Sequence, residues 1–489
     1  MSNASMDQIV SLSKRKGFVY PGSEIYGGFG NSYTYGPYGV EIKKNIKKIW
    51  WQMFVHNRAD VVGIDGDIIL HPKTWEASGH VGGFNDLLIE DPETRHRFRA
   101  DHLIEDQYDT DVEGWDLPKV NEYVKNNPLK SPTSGNMLTG PVKQFNLMFD
   151  TEMNKASTGA GESESNKAYL RPETAQAIFL EFKNVVDSTR VKIPFGIAQQ
   201  GKAFRNEITP GNFIFRRLEF EQMEIEYFIA PPPGFNERRE QYMAADKTID
   251  DWEEADKNYI YDFFNAWQKD MKTWCDRIGL SPEKCHDYKH AAEKLSHYSK
   301  LTVDIEYDFP FGKKELYGLA YRTDFDLTQH ENHSGKKLKY RDPITNDLYI
   351  PHVLEPTFGV DRTILAVLCE AYTEEKLADE STRLVMKFKP QVAPVKVAVL
   401  PLMKKNGMPE KAKEVLEMLQ IFGNCELDVS GSIGKRYRRQ DEIGTPLCVT
   451  IDFDTIEVGT VTVRDRDTMQ QETMNIEDLI GYVGKRLSA

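Results

Sequence analysis

Arg205, Glu207 and Phe220 bring a guanidinium, a carboxylate and an aromatic ring into one short stretch, FGIAQQGKAFRNEITPGNFIFRRLEFEQMEIEYF at 195–228. An arginine suits a phosphate, a carboxylate accepts from an exocyclic amine, and a ring offers a planar base something to stack on. Together they describe a nucleotide site. The stretch reads as a hairpin: Arg205 and Glu207 share one face of the first arm, and Thr209-Pro210-Gly211-Asn212 supplies turn chemistry. In the second arm Met223, Ile225 and Tyr227 line one face, while Phe220, Gln222 and Glu224 line the other. Burying that second face in an apolar core would carry a large desolvation cost, so it is expected to floor a cavity. The alternative is a surface hairpin with solvated ion pairs.

Three further segments could position chemistry beside it. In YIPHVLEPTFGVDRTILAVL, from Tyr349, a strand with Glu355 and Thr357 on one face runs through Gly359 into a helix. Arg362 in that helix's first turn opposes the dipole, a conflict that a bound anion would relieve. Leu170-Arg171-Pro172-Glu173 reads as a helix start with an early proline, continued by Ala175, Ile178, Phe179, Phe182 and Val186. Glu173 is there either a cap or a ligand contact. Residues 302–327 return to strands, with Glu315 beside Leu316.

The 489 residues allow two to four domains, and 40% hydrophobic composition allows a large core. No apolar run reaches the ~20 residues of a membrane span, and the start lacks a secretory signal's apolar core, so a cytoplasmic protein without membrane association is expected. Ser2-Asn3-Ala4 reads as an addition outside the fold. The five cysteines form no C-x-x-C pair, which argues for free thiols and no structural zinc. A formal charge of −14 argues against a general nucleic-acid coat but not against local basic patches.

Along the chain, residues 26–39 suit an irregular loop near a ligand or a neighbouring subunit. Gly28 and Gly30 lack the third glycine of a dinucleotide fingerprint. From Val40 to His56 the spacing predicts an amphipathic helix burying Ile42, Ile46, Ile49, Trp50 and Met53, with Lys43, Lys44, Lys47 and Lys48 on solvated faces. Val61 to Leu70 reads as one strand, followed by a polar loop TWEASGHVGGFND. Residues 90–143 read as an insertion carrying a small basic patch of Arg95, Arg97 and Arg99. Residues 159–166, GAGESESN, have the composition of a mobile segment. Residues 234–300 read as a second, helical insertion. Pro390 to Pro394 reads as a linker to a small α/β domain. Its run Lys435-Arg436-Tyr437-Arg438-Arg439 reads as a solvated helix face, with an RNA contact as the alternative. Two decoys fail: GIAQQGKA has Ala203 where a phosphate loop needs a hydroxyl, and His330-Glu331-Asn332-His333, expected as a loop, has the wrong spacing for zinc.

With FRNE at 204–207 followed by RRLEFEQME, and EPTFGVDR at 355–362, the chain resembles the class II aminoacyl-tRNA synthetases, specifically the homodimeric glycyl type. GSEIYGGFGNSYTYGPYG, WEASGHVGGFND, FRADH, LRPETAQ and the C-terminal domain extend the resemblance over nearly the whole chain. It implies an α+β fold: a six- or seven-stranded antiparallel catalytic sheet flanked by helices, over residues 6–389 with both insertions, and an anticodon-binding domain over 390–489. It further implies a dimer interface near the Val40–His56 helix. Glycine's carboxylate would attack the α-phosphorus of ATP, and tRNA(Gly) would then take glycine from the adenylate.

By the same resemblance Arg205 would hold the α-phosphate, Glu207 the adenine amine, Phe220 the ring and Arg362 the γ-phosphate side. Asn206, Phe215, Arg216, Leu316, Gly359 and Asp361 would complete the ATP site. Glu315 would be the protein ligand for the magnesium that accompanies ATP. Arg99, Glu173, Phe220, Gln222, Glu224, Glu355, Thr357 and Gly359 would form the glycine site, and Arg322 would balance its acidity. Thr357 stands where most of the family is expected to carry serine; its methyl narrows the pocket, which would change affinity and not specificity. Two other readings are a non-catalytic RNA-binding relative, disfavoured by Arg205, Glu207, Glu315 and Arg362 occurring together, and a synthetase for another small amino acid.

Overall fold

The computed structural model describes residues 4–112, 115–153, 167–207 and 211–488. Its central sheet has seven strands: β1 (Val61–Ile64), β2 (Phe195–Phe204), β3 (Glu219–Ile229), β4 (Cys285–Lys289), β5 (Leu301–Phe309), β6 (Gly312–Thr323) and β7 (His352–Gly359). They lie in the order β4-β5-β6-β7-β3-β2-β1, antiparallel except where β1 runs parallel to β2. The β2–β3 hairpin pairs without slippage from Phe195↔Phe228 to Phe204↔Glu219. Its alternation sends Met223, Ile225 and Tyr227 into the main core and leaves Gln222 and Glu224 on the opposite face.

Helix spacing explains what covers the sheet. α1 (Pro37–Trp51) buries Ile42, Ile46, Ile49 and Trp50, and α2 (Ala175–Thr189) packs Ile178, Phe179 and Phe182 against Phe195, Ile197 and Phe228. α3 (Glu254–Arg277) buries Ile260, Phe264, Trp267, Met271 and Trp274 in the main core, each contributing about 1.5–3 kcal/mol. α4 (Val360–Ala371) follows β7 directly. The 234–300 segment, expected as an insertion, therefore supplies both a core helix and the edge strand β4 of the central sheet. Residues 85–146 differ, with a three-stranded sheet of their own and a separate cluster of Ile89, Leu103, Ile104, Val120, Val124 and Leu138.

Several local expectations are corrected. Within 26–39, Tyr33–Tyr35 pairs with Val19–Pro21, and Pro37 opens α1 three residues early by supplying a pre-set φ at its first turn. The 61–70 strand divides: β1 joins the central sheet, while Ile69–Leu70 pairs with Lys167–Leu170. TWEASGHVGGFND is largely helical, in Pro72–Ala77 and His80–Gly83. α2 starts after Thr174, so Glu173 precedes the helix. HENH lies on the helix Phe325–Ser334, and Ala4 is buried, with Ser5 capping the helix Met6–Lys16. Lys43 and Lys47 are not simply solvated, because both pair with Glu221 on β3. Arg95 and Arg97 pair with Glu90, and Arg99 with Asp86 and Asp101, which neutralises the expected basic patch. Residues 209–210 of the expected turn and all of 159–166 lie outside the described residues.

The C-terminal sheet joins β8 (Val397–Pro401), β9 (Cys425–Leu427), β10 (Leu447–Ile451), β11 (Thr460–Asp465) and β12 (Gln471–Asn475) in the order β9-β8-β10-β11-β12. α5 (Met408–Leu419) covers one face and α6 (Ile433–Ile443) the other. The basic run lies on α6 and is mostly used internally: Arg436 donates to the Gly431 carbonyl at 2.8 Å, Tyr437 bonds Thr450 at 2.6 Å and Arg439 pairs with Asp428 at 2.6 Å. The expected linker is a packed joint, with Val392 and Ala393 in the main core and Lys396 donating to the Pro390, Gln391 and Ala393 carbonyls. A buried cluster crosses it, because Asp441 of α6 accepts from Arg383 and from Arg464, both at 2.9 Å. Among the described residues no helix is long and apolar enough to cross a membrane.

Candidate functional site

β3, β6 and β7 floor a cleft of about 280 Å³ on the polar face of the sheet. Cross-strand register explains what meets there, since Glu224 lies opposite Thr357, and Thr357 opposite Gly318. The lining includes Arg205, Glu207, Phe215, Arg216 and Phe220 at one end, Glu315, Leu316, Gly359, Asp361 and Arg362 beside them, and Glu173, Gln222, Glu224, Glu355 and Thr357 at the other. Asn206 and Arg99 do not line it.

At the cationic end β2 stops at Phe204, so Arg205 and Glu207 sit just beyond the strand and not on its face. Arg205 donates to the Pro172 carbonyl at 3.1 Å, and its guanidinium lies 5.3 Å from the Phe220 ring. Glu207 pairs with Arg216 at 3.5 Å. Arg362 lies 4.3 Å from the Phe215 ring and pairs with the Glu315 carboxylate at 3.1 Å. The Arg362 charge holds Glu315 below its usual carboxylate range. The conflict between Arg362 and the helix dipole is thus met in this structure by a carboxylate at the cleft mouth.

At the acidic end the carboxylates are fixed by neutral donors and one cation. Glu224 accepts from Thr357 Oγ1 at 2.9 Å and from the Thr174 hydroxyl, and burial together with Glu173 raises its pKa. Arg322 forks onto Asp326 at 2.8 and 2.9 Å and reaches Glu355 at 2.9 Å. Burial acts to raise the pKa of Glu355, against the pull of Arg322. Glu173 behaves oppositely: burial acts to raise it, but His80, 3.2 Å away, and Arg322 hold it below the ordinary range.

Two expected ATP contacts have other work. Asp361 accepts from Tyr35, from Arg217 and from the Glu221 amide at 2.9 Å, so its carboxylate ties three segments together. The Leu316 side chain is buried in the main core and leaves only its backbone for a ligand. Arg99, held by Asp86 at 3.1 Å and Asp101 at 2.5 Å, lies outside the cleft. Among residues that sequence reasoning missed, Tyr298 lines the cleft with Arg322 stacked 3.8 Å from its ring centre, and Asp304 lines it from β5. Both lie in or beside the segment read as an insertion, and nothing local marks them. Glu226 was legible, because it repeats the face of Glu224 two residues on.

The anticodon binding domain family model matches residues 396–486. A glycine–tRNA ligase of Alkaliphilus oremlandii is 47% identical over 99% of this chain and 98% of its own length. The chain belongs to the glycine–tRNA ligase family. Ligases of the same name from Clostridium kluyveri and Bacillus cereus are each 48% identical over 99% of the chain, covering 98% and 99% of their own lengths. The ligase match extends across both the cleft-bearing sheet and the C-terminal sheet.

Proposed function

We propose that this chain, a glycine–tRNA ligase, forms its glycyl adenylate in the cleft over β3, β6 and β7, with ATP at the arginine end and glycine at the carboxylate end. The observation that carries this reading is the polarity of one cleft: Arg205 and Arg362 with the Phe220 ring at one end, and Glu173, Glu224 and Glu355 at the other. Glycine's carboxylate oxygen attacks the α-phosphorus and pyrophosphate departs with the bonding electrons. The terminal adenosine hydroxyl of tRNA(Gly) then attacks the glycyl carbonyl and AMP departs. Such a displacement needs fixed cations more than acid–base groups, so Arg205 stabilises charge at the α-phosphate and Arg362 grips the γ side. Glu207 accepts from adenine's amine and Phe220 stacks on the ring, with Phe215, Arg216 and Gly359 as neighbours.

Magnesium fits the oxygen donors present, because Glu315 and Asp304 both line the cleft beside the arginines. Glu315 would hold the ion together with phosphate oxygens, and bound there it would supply neutralisation of phosphate charge. The glycine end selects by exclusion, since a Cβ would meet a crowded wall, and steric rejection is not limited like recognition by an open apolar pocket.

We also read the chain as a cytoplasmic homodimer. The exposed Ile25, Tyr26 and Phe29 are apolar surface that a second copy would cover. Sedimentation at micromolar concentration tests this, and a monomer would overturn it. Amino-acid-dependent ATP–pyrophosphate exchange tests the cleft. Exchange with glycine but not alanine or serine is expected, and equal exchange with alanine would overturn the exclusion argument.

A further inference from the structure

Glu226 lies beneath the glycine end of the cleft and has no part in the roles assigned above. It is fully buried, and among the described residues neither of its carboxyl oxygens has a hydrogen-bond partner. It sits on β3 two residues beyond Glu224, on the same face, and oxygens of Glu224, Glu226 and Glu355 all lie within 4.8 Å of one another. The groups that face it are Glu224 on its own strand, Glu355 on β7, Arg322 on β6 and Asp326 on the helix Phe325–Ser334. Arg322 is the one cation among them, and its hydrogen bonds go to Asp326 and Glu355. Three buried carboxyls this close cannot all be ionised with one shared cation, so the cluster holds a proton.

We propose that Glu226 is the member that keeps this proton, and that seating glycine's ammonium group against Glu224 and Glu355 drives the proton from the cluster into solvent. Glu226 is the member with no donor to stabilise its anion, whereas Glu224 has Thr357 and Thr174 and Glu355 has Arg322. Burial raises the pKa of Glu226 well above the ordinary range, with the Glu355 charge adding to the effect. The exchange conserves charge in a site that is costly to charge: one proton leaves as one ammonium arrives. Glu226 is thus a positioning residue, because it sets the ionisation of the carboxylates that touch the substrate. This inference rests on the assignment of glycine to the carboxylate end.

The test is the glycine KM in ATP–pyrophosphate exchange between pH 6 and 8.5, at saturating ATP, for the wild type, Glu226→Gln and Glu355→Gln. In the wild type the glycine KM falls several-fold per pH unit as the proton competitor is removed, while the ATP KM stays flat. Glu226→Gln, permanently neutral, flattens that dependence and does not raise the KM at the acid end. A pH-independent wild-type KM, or an unchanged slope in Glu226→Gln, would overturn the proposal. So would a KM raised in Glu226→Gln at every pH, since the residue would then be supplying charge. If Glu355→Gln leaves the glycine KM untouched, the pocket assignment itself has failed. Proton release can also be read from the wild type alone, with an indicator dye in weak buffer. About one proton or a substantial fraction per glycine bound is expected near neutral pH, and none would overturn the proposal.

Discussion

Thr357 donates to Glu224 at 2.9 Å, and this bond gives the position its meaning. Serine there would keep the donor, so Thr357→Ser retains glycine specificity. Thr357→Val removes the donor while keeping the shape, and a bond to a carboxylate is worth about 1.5–3 kcal/mol. The glycine KM in pyrophosphate exchange then rises at least about tenfold with the ATP KM unchanged. Arg205→Ala removes a fixed cation from the reacting phosphate, and the exchange rate falls by roughly 10²–10³-fold in protein that still melts cooperatively. The residues of this cleft are readable from sequence wherever chemistry and alternation coincide, as at Glu224, Glu355 and Thr357. The partners that hold Arg99 and Asp361 are not, since a charged side chain committed to a neighbour looks the same in a sequence as one free for a ligand.

At the scale of elements, the strands that carry the cleft are legible because one face is apolar and the other is charged. What escapes is α3: its long apolar stripe is interleaved with lysine and aspartate, and the block reads as a surface insertion until Trp267 and Trp274 are seen in the core. The TWEASGHVGGFND helices escape for the opposite reason, being short and glycine-rich. The helix Phe235–Tyr242 is held to β7 through His352, whose ring meets Phe235 edge-on at 4.2 Å and whose Nδ1 bonds the Tyr321 hydroxyl at 2.5 Å. Burial lowers the pKa of His352 from 6.5 to about 4. The unfolded chain therefore takes up this proton first on acidification. The stability contributed by neutral His352 is intact above pH 6.5 and is lost as pH falls towards 4, a change on the order of 3 kcal/mol. Urea unfolding across that range measures the loss, and His352→Asn, which cannot titrate, should remove this part of the pH dependence while lowering stability above pH 6.5.

At the scale of the molecule, the two sheets are joined through charges removed from water. Asp441 accepts from Arg383 on the catalytic side and Arg464 on the C-terminal side, with all three side chains almost wholly buried. Asp441→Asn leaves Arg464 without an anion and Arg383 with Glu375 alone, 2.7 Å away, at a cost of about 3–5 kcal/mol. The expected result is a split between two assays: pyrophosphate exchange, which needs only the cleft, persists in folded protein, while charging of tRNA(Gly) falls. Equal loss of both would mean that the joint supports the cleft itself. The joint is hard to foresee, because Pro390 to Pro394 has a linker's composition and its partners lie tens of residues away.

The unslipped pairing of β3 with its neighbours also bears on how this protein can change by descent. Losing one residue from β3 would turn Met223, Ile225 and Tyr227 towards the ligand and drive Glu224 and Glu226 into the apolar core. A deletion there abolishes the pocket and the core together. Lineages can vary this substrate site by exchanging one side chain for another, and changes in chain length are confined to the segments outside the sheet.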